Sequence, residues 1–264
     1  MTQTVTSTSA AWRRHYHQSA TIEPPIPWHQ GATLSAAERR IIAESIREFQ
    51  LGESSEGRNL IVAAKAYADR TGDHEYVPAI EGFIREEQRH ARYLGRFLTT
   101  EGIMLARHSW ADSVFRRLRR GAELEATISV LLTAEIIAQV YYEALYHATR
   151  SPILRAICQR ILTDEAEHVR FQAERLAILR SGKRAVHIQT GYVLQRLLFG
   201  AAMGVVWCKH AGVLKHGGMA WPIYWRSCWV AFRAAYEKMR SERYALSSVE
   251  KHRGCSRASA QVGS

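Results

Sequence analysis

In two places this chain sets a glutamate and a histidine, three residues apart, on a helical stripe that is otherwise apolar. In the first, Ile80, Phe83, Leu94 and Leu98 recur at helical spacing, and Glu87 and His90 fall among them. In the second, Leu154, Ile157, Ile161, Leu176 and Leu179 frame Glu165 and His168. Residues three apart on a helix share a face one turn apart, so each pair can reach a single cation. Ionisable groups on a core-facing stripe are costly unless they are paired or bound to metal. About one Glu-x-x-His match arises by chance in a chain this rich in Glu and His. The pattern gains its weight from what precedes each match.

Upstream of the first pair, Ile42, Ile46, Phe49, Leu60, Ala64 and Tyr67 step by threes and fours around Glu53, with Glu56 near the same stripe. Upstream of the second, Leu124, Ile128, Leu131, Ala138, Tyr142 and Leu145 do the same around Glu135, the one acid on that stripe. The order is therefore Glu, Glu-x-x-His, Glu, Glu-x-x-His, each expected on its own long helix. Glu135 and Glu165 lie equally far from Arg150, where the chain should bend, so an antiparallel hairpin sets them at one level. Carboxylate and imidazole donors suit iron or manganese. Four carboxylates balance the charge of two divalent cations. A buried polar network without metal would have to occupy all four helices at once. Ligand histidines usually donate their second ring N–H to an acid. Asp164 and Glu86 each directly precede a candidate ligand, so Asp164 is expected to hold His90 and Glu86 to hold His168.

This set of residues resembles the ligand arrangement of the ferritin-like di-iron or di-manganese carboxylate proteins. Gly52-Glu53-Ser54 followed by Arg58-Asn59 resembles the first helix of rubrerythrins. Glu86-Glu87-x-x-His90 and Asp164-Glu165-x-x-His168 resemble the paired motifs of soluble acyl-carrier-protein desaturases. The resemblance spans residues 35–181. It implies an all-α fold, a four-helix bundle with a long crossover between its second and third helices. It implies two iron ions, or iron and manganese, held by Glu53, Glu87, His90, Glu135, Glu165 and His168. Glu56 is the alternative to Glu53, and the Gly-Glu-Ser match favours Glu53. Tyr142, a heptad beyond Glu135, and Tyr93, a turn beyond His90, are candidate redox-active or hydrogen-bonding tyrosines; a core tyrosine with a satisfied hydroxyl is the plainer reading. The implied activity is dioxygen activation for hydroxylation or desaturation of an organic substrate. The alternatives are a rubrerythrin-like peroxidase or ferroxidase, and a non-enzymatic metal-binding scaffold.

Around this core, residues 1–34 are polar with a Pro-rich piece and read as an extended, partly disordered arm, pinned by Trp12, Tyr16 and Trp28. Residues 35–182 form the bundle. Ser35 and Glu38 make a capping box that opens a first helix running to about Asp69, although Gly52, Ser54, Ser55 and Gly57 are poor helix formers within it. The second helix runs from about Pro78 to Gly102, and the crossover occupies residues 103–121 with a short basic helix from Ser109 to Arg120. The third spans Ala122 to Thr149, and Ser151-Pro152 caps the fourth. Residues 183–243 read as a Trp-rich helical hairpin, Arg184 to Val213 and Pro222 to Arg240, that covers the site, forms a dimer interface, lies on a membrane or simply packs as core. Residues 244–264 read as a disordered basic tail.

Four scattered cysteines without a Cys-x-x-Cys exclude a rubredoxin-type iron site and fit a reducing cytoplasm. Electrons must then come from an external reductase or ferredoxin. No signal-peptide pattern is seen at the N-terminus. The net charge of +11 points to a solvated basic surface or to an acidic partner. An acidic carrier protein or an anionic membrane surface would answer it, with nucleic acid the least favoured, and a homodimer is expected. Location is expected to be cytoplasmic, peripheral at the membrane if the hairpin binds there.

Overall fold

The computed structural model describes residues 5–54, 57–106 and 123–239. Among these the chain is all-α, with no strand. Helix α1 spans Val5–Ser19 and is followed by a 3-10 turn, Trp28–Gln30. Next come α2 (Ala36–Glu53), α3 (Arg58–Thr71), α4 (Tyr76–Thr100), α5 (Leu124–Ala148) and α6 (Pro152–Arg180). The chain closes with α7 (Ala185–His216) and α8 (Trp221–Lys238).

The start of α2 shows how sequence sets a boundary. Ser35 Oγ accepts from the Glu38 amide, and the Glu38 carboxylate accepts from the Ser35 amide, the reciprocal capping box. The same carboxylate also accepts from the Arg150 amide at 2.7 Å and the Thr149 hydroxyl at 3.2 Å. The first turn of α2 is thereby tied to the bend between α5 and α6. That bend is itself capped, since Ser151 Oγ accepts from the Leu154 amide ahead of Pro152 in the first turn.

Helices α5 and α6 pack as an antiparallel hairpin at the centre. Helix α5 is apolar enough to cross a membrane by composition, yet most of that stretch is buried inside the protein, so it is a core helix. Helix α4 lies against α1, α2, α3 and α6, while α7 and α8 cover the other side of α5 and α6. One continuous core joins all of these, from Trp12 and Tyr16 in α1 to Phe232 and Ala235 in α8.

Two expectations need correction. The single first helix is broken: α2 ends at Glu53, Ser54 Oγ donates back to the Leu51 carbonyl, and α3 restarts after Gly57. Gly57 sits at φ +63°, a left-handed conformation natural to glycine, so the cluster of poor helix formers is a real interruption. The N-terminal arm is also not extended between residues 5 and 19. Trp12 and Tyr16 are buried, and Gly82 of α4 lets the two helices touch, because a Cβ there would lie 2.5 Å from Tyr16 Cβ. Further along, buried Glu101 accepts from the Thr33 and Leu34 amides and fastens the chain leading into α2. The expected basic helix at 109–120, the rest of the crossover beyond residue 106 and the basic tail lie outside the described residues.

Gly217 sets how closely the C-terminal hairpin approaches the core. It has an ordinary φ of −79°, yet a Cβ on it would stand 2.1 Å from the Ala144 carbonyl oxygen of α5. Backbone cannot yield as a side-chain tip can. Gly217→Ala is therefore expected to cost about 2–3 kcal/mol, at the upper end for overpacking. Thermal or urea unfolding with α-helical circular dichroism would read this as a lowered midpoint. An unchanged midpoint would mean that the turn docks more loosely than described.

Candidate metal centre

The acids and imidazoles meet where α2, α4, α5 and α6 face one another. Glu53, Glu87, His90 and Glu165 each offer a ligand atom within 4.8 Å of the others, and so do Glu87, Glu135, Glu165 and His168. The two groups share Glu87 and Glu165, one from each Glu-x-x-His pair. The buried Glu and His groups could hold a metal ion in either half. His90 and His168 are fully buried, and Glu87 is the most open of the six, its side chain 17% exposed. The break after Glu53 places that carboxylate at the last residue of α2, turned into the cluster.

The inward atoms are the unsatisfied ones. Nδ1 of His90, Nδ1 of His168 and both Glu165 carboxylate oxygens are buried and make no hydrogen bond. Glu87 Oε1 likewise makes none, although it lies 3.0 Å from Nδ1 of His168. Buried polar atoms are nearly always paired in folded proteins. A cluster of orphans converging on one volume fits a cation that the side chains would share, and the donor set, carboxylate and imidazole, fits a hard-to-borderline divalent ion.

Behind this inner face each imidazole is held at its other nitrogen. Nε2 of His90 lies 3.0 Å from Asp164 Oδ2, and Nε2 of His168 lies 3.0 Å from Glu86 Oε2. This is the crossed pairing expected from sequence, and it aims both Nδ1 atoms inward. Glu86 and Asp164 are in turn matched by two arginines. Arg89 pairs with Glu86 and reaches the Ser19 carbonyl at 3.0 Å, while Arg160 Nε donates to Asp164 at 2.7 Å. Ser19, the last residue of α1, donates its hydroxyl to Glu86 and accepts from Arg160 at 2.9 Å. The outer layer is thus two carboxylates and two guanidiniums, neutral as a unit, leaving the four inner carboxylates to any cations.

Electrostatics follow from the burial. Desolvation first, and then Glu87, push the Glu53 carboxyl well above its usual range. Desolvation and the neighbouring Glu135 do the same to Glu165. Burial opposes a charge on His168, but the close acids around it, Glu135, Glu165, Glu86 and Glu87, outweigh that and raise its pKa. Burial would also raise Glu86, yet hydrogen bonds from His168 and Ser19 and the Arg89 charge hold it down at about 2. Glu53, Glu87 and Glu165 thus favour protons, whereas Glu165, His168 and Gln172 outweigh burial and hold Glu135 down at about 2, and the outer Glu86 is ionised across the physiological range.

Tyr142 donates its hydroxyl to Glu53 Oε1 at 2.7 Å, so it touches the cluster directly. Tyr93 does not; it turns outward and donates to Glu23. Glu56 lies outside the described residues. Three contributors were not foreseen. Gln172 donates to Glu135 at 3.0 Å, and its position one turn beyond His168 on the same stripe was the available sign. Arg160 stands one turn before Asp164, an equally local sign. Ser19 gave none, because its segment read as an arm.

No protein-family model, no curated protein and no solved structure matches the chain. The site therefore rests on its own geometry, which makes two predictions. Protons held by Glu53 and Glu165 must leave for a cation to enter, so ferrous or manganous ion should bind more tightly as pH rises from about 5.5 to 7.5, by roughly tenfold per unit for each proton released. Calorimetry in buffers of different ionisation enthalpy would count those protons; pH-independent binding would contradict the assignment. The second concerns the metal-free fold. A carboxyl whose pKa is raised on folding contributes stability below the unfolded pKa of about 4.5 and loses it as pH rises. Glu165→Gln removes that cost, so at pH 8 the metal-free variant should be as stable as wild type or more so, by about 1–4 kcal/mol. The same variant should lose most of the thermal stabilisation that metal gives the wild type.

Proposed function

We propose that the protein is a ferritin-like di-iron oxidoreductase in which α2 and α3 together, α4, α5 and α6 act as the four helices of the bundle. Glu53, Glu87, His90 and Glu165 would hold one ion, and Glu87, Glu135, Glu165 and His168 would hold the other. The observation that carries this reading is the pair of half-sites sharing two carboxylates, with His90 and His168 each anchored at Nε2 and orphaned at Nδ1. Two ferrous ions bound there would supply two electrons for the reduction of dioxygen.

The chain's own residues set the conditions for that chemistry. The site is largely closed to water, which suits a reaction whose oxidant must be kept from solvent. Tyr142 holds Glu53 by a single hydrogen bond and can pass a proton to or from it. Gln172 fixes one oxygen of Glu135. A groove of about 840 Å³ runs between α5, α6 and α8, lined by Val140, Leu162, Ala166, Ile223 and Val230 among others, with Gln139, Glu143, Arg226 and Ser227 as its polar members and none of the six candidate ligands in its lining. Ala166 adjoins Glu165 in sequence and Gln139 of the same groove stands one turn from Glu135. A largely apolar groove of this size favours an organic substrate, hydroxylated or desaturated, over iron or peroxide alone. Electrons would come from a separate reductase or ferredoxin.

Anaerobic loading with ferrous ion tests the assignment. Two irons per chain are expected in wild type and one or fewer in Glu135→Ala, with oxidation of the bound iron on admitting dioxygen lowered at least about a hundredfold in the variant. Turnover of hydrogen peroxide with no response to dioxygen would transfer the protein to the peroxidase class. Failure to retain any iron would leave the scaffold reading.

A further inference from the structure

The C-terminal hairpin carries an apolar face that none of the described residues covers. Helix α7 is 32 residues long, and only a third of its most apolar stretch is buried. One side is fixed to the core. Ser45 Oγ lies 2.8 Å from Nδ1 of His210, Lys209 pairs with Glu48 at 2.8 Å, and Phe199 and Met203 are fully buried. These contacts hold the helix from Phe199 to His210 against the core, which favours docking on a surface over crossing it. Its other side shows Val193, Leu197, Ala201, Gly204 and Cys208 at steps of four, four, three and four, with Leu194 beside them, and Leu197 is 66% exposed.

An aromatic row borders this stripe. Trp207 of α7 contacts Trp221 of α8 at 5.2 Å between ring centroids, and Trp221, Trp225 and Trp229 follow one another at 5.3 and 5.9 Å. Trp225 is 40% exposed. Cations flank both ends of the row: Lys215 lies over Trp207, and Arg196 lies over Trp229. On α8, Arg226 and Arg233 are exposed, Arg226 at the edge of the groove that it lines with Glu143.

Charge decides between occupants. From Arg175 to Tyr236 the chain contains no Asp or Glu, while Lys183, Arg184, Arg196, Lys209, Lys215, Arg226 and Arg233 all fall on the hairpin or its approach. Lys183 and Lys209 are matched by Glu125 and Glu48 of the core. The others, set against the single acid Glu237 at the end of α8, leave the hairpin's outer face net basic. A second copy meeting this face would bring the same sign of charge against it. An anionic lipid surface brings the opposite sign, and an apolar strip edged by tryptophan and arginine is what lies in a headgroup boundary.

We propose that the α7–α8 hairpin docks this protein on an anionic phospholipid surface, with Leu197 and the exposed tryptophans entering the boundary and Arg226 and Arg233 meeting the headgroups. Binding of this kind does not depend on the metal assignment and can be read without it. Full-length protein would be sedimented with vesicles of phosphatidylcholine alone or mixed with phosphatidylserine, and tryptophan fluorescence read with brominated lipid. Wild type is expected to sediment with the anionic vesicles, to be released at high salt, and to show quenching. Leu197→Glu, and the double change Arg226→Glu with Arg233→Glu, should each weaken binding at least about tenfold while helical circular dichroism stays unchanged. Val62→Glu, an equally exposed site on α3, should bind as wild type does. Wild type left in the supernatant with anionic vesicles at low salt would overturn the proposal, as would undiminished binding by Leu197→Glu. A lipid-free dimer that Leu197→Glu dissolves would also overturn it, by giving the face to a second copy.

Discussion

Four carboxylates and two imidazoles converge in the interior of this protein, and that concentration of charge is the constraint on which its architecture turns. Like-charged acids buried together repel, and each loses hydration. The fold answers on two levels. The outer acids, Glu86 and Asp164, are neutralised by Arg89 and Arg160 and orient the imidazoles. Among the described residues no arginine or lysine pairs with the inner acids, and together with the two imidazoles they could hold a metal ion. A protein that needed only stability would not hold Glu53 and Glu165 where burial drives their carboxyls toward the protonated form. Stability is given up there for a site.

Helix α1 matters more than its place at the chain terminus suggests. Ser9 shares a buried network with Asp73 and Arg175, Trp12 donates to Glu174, and Ser19 closes the arginine layer behind the histidines. Arg175 is itself buried, stacked 3.6 Å from the Tyr76 ring centre. These contacts connect α1 to both Glu-x-x-His helices. A displacement of α1 would therefore be felt at Nε2 of His90 and His168 through Glu86 and Asp164, although no atom of α1 belongs to the inner set.

Much of this was legible in the sequence because it is local and periodic. Glu-x-x-His on an apolar stripe, the capping box at Ser35 and the Ser151-Pro152 start each depend on residues within one or two turns, which spacing exposes. The crossed pairing of Asp164 with His90 and Glu86 with His168 was readable for a related reason: an acid adjacent to a ligand, on the facing helix, has few other places to go. What escaped depends on distant contacts. Residues 5–19 are too polar on average to announce a helix, and their burial comes from α4, where Gly82 opens the space for Tyr16. The break at Gly57 was visible only as an oddity of composition, since whether a glycine bends a helix depends on what packs beside it. The exposed face of α7 was likewise hidden, because apolar residues look alike in sequence whether buried or not.

In the proposed centre two cations share Glu87 and Glu165. X-ray absorption fine structure on the iron-loaded protein addresses this most directly, because it reports ligand type and metal–metal separation without reference to any substrate. Oxygen and nitrogen neighbours with no sulfur, and a second iron at about 3.5–4 Å, are the predicted result. Isolated iron with no metal neighbour at full loading, or a sulfur-containing shell, would contradict it.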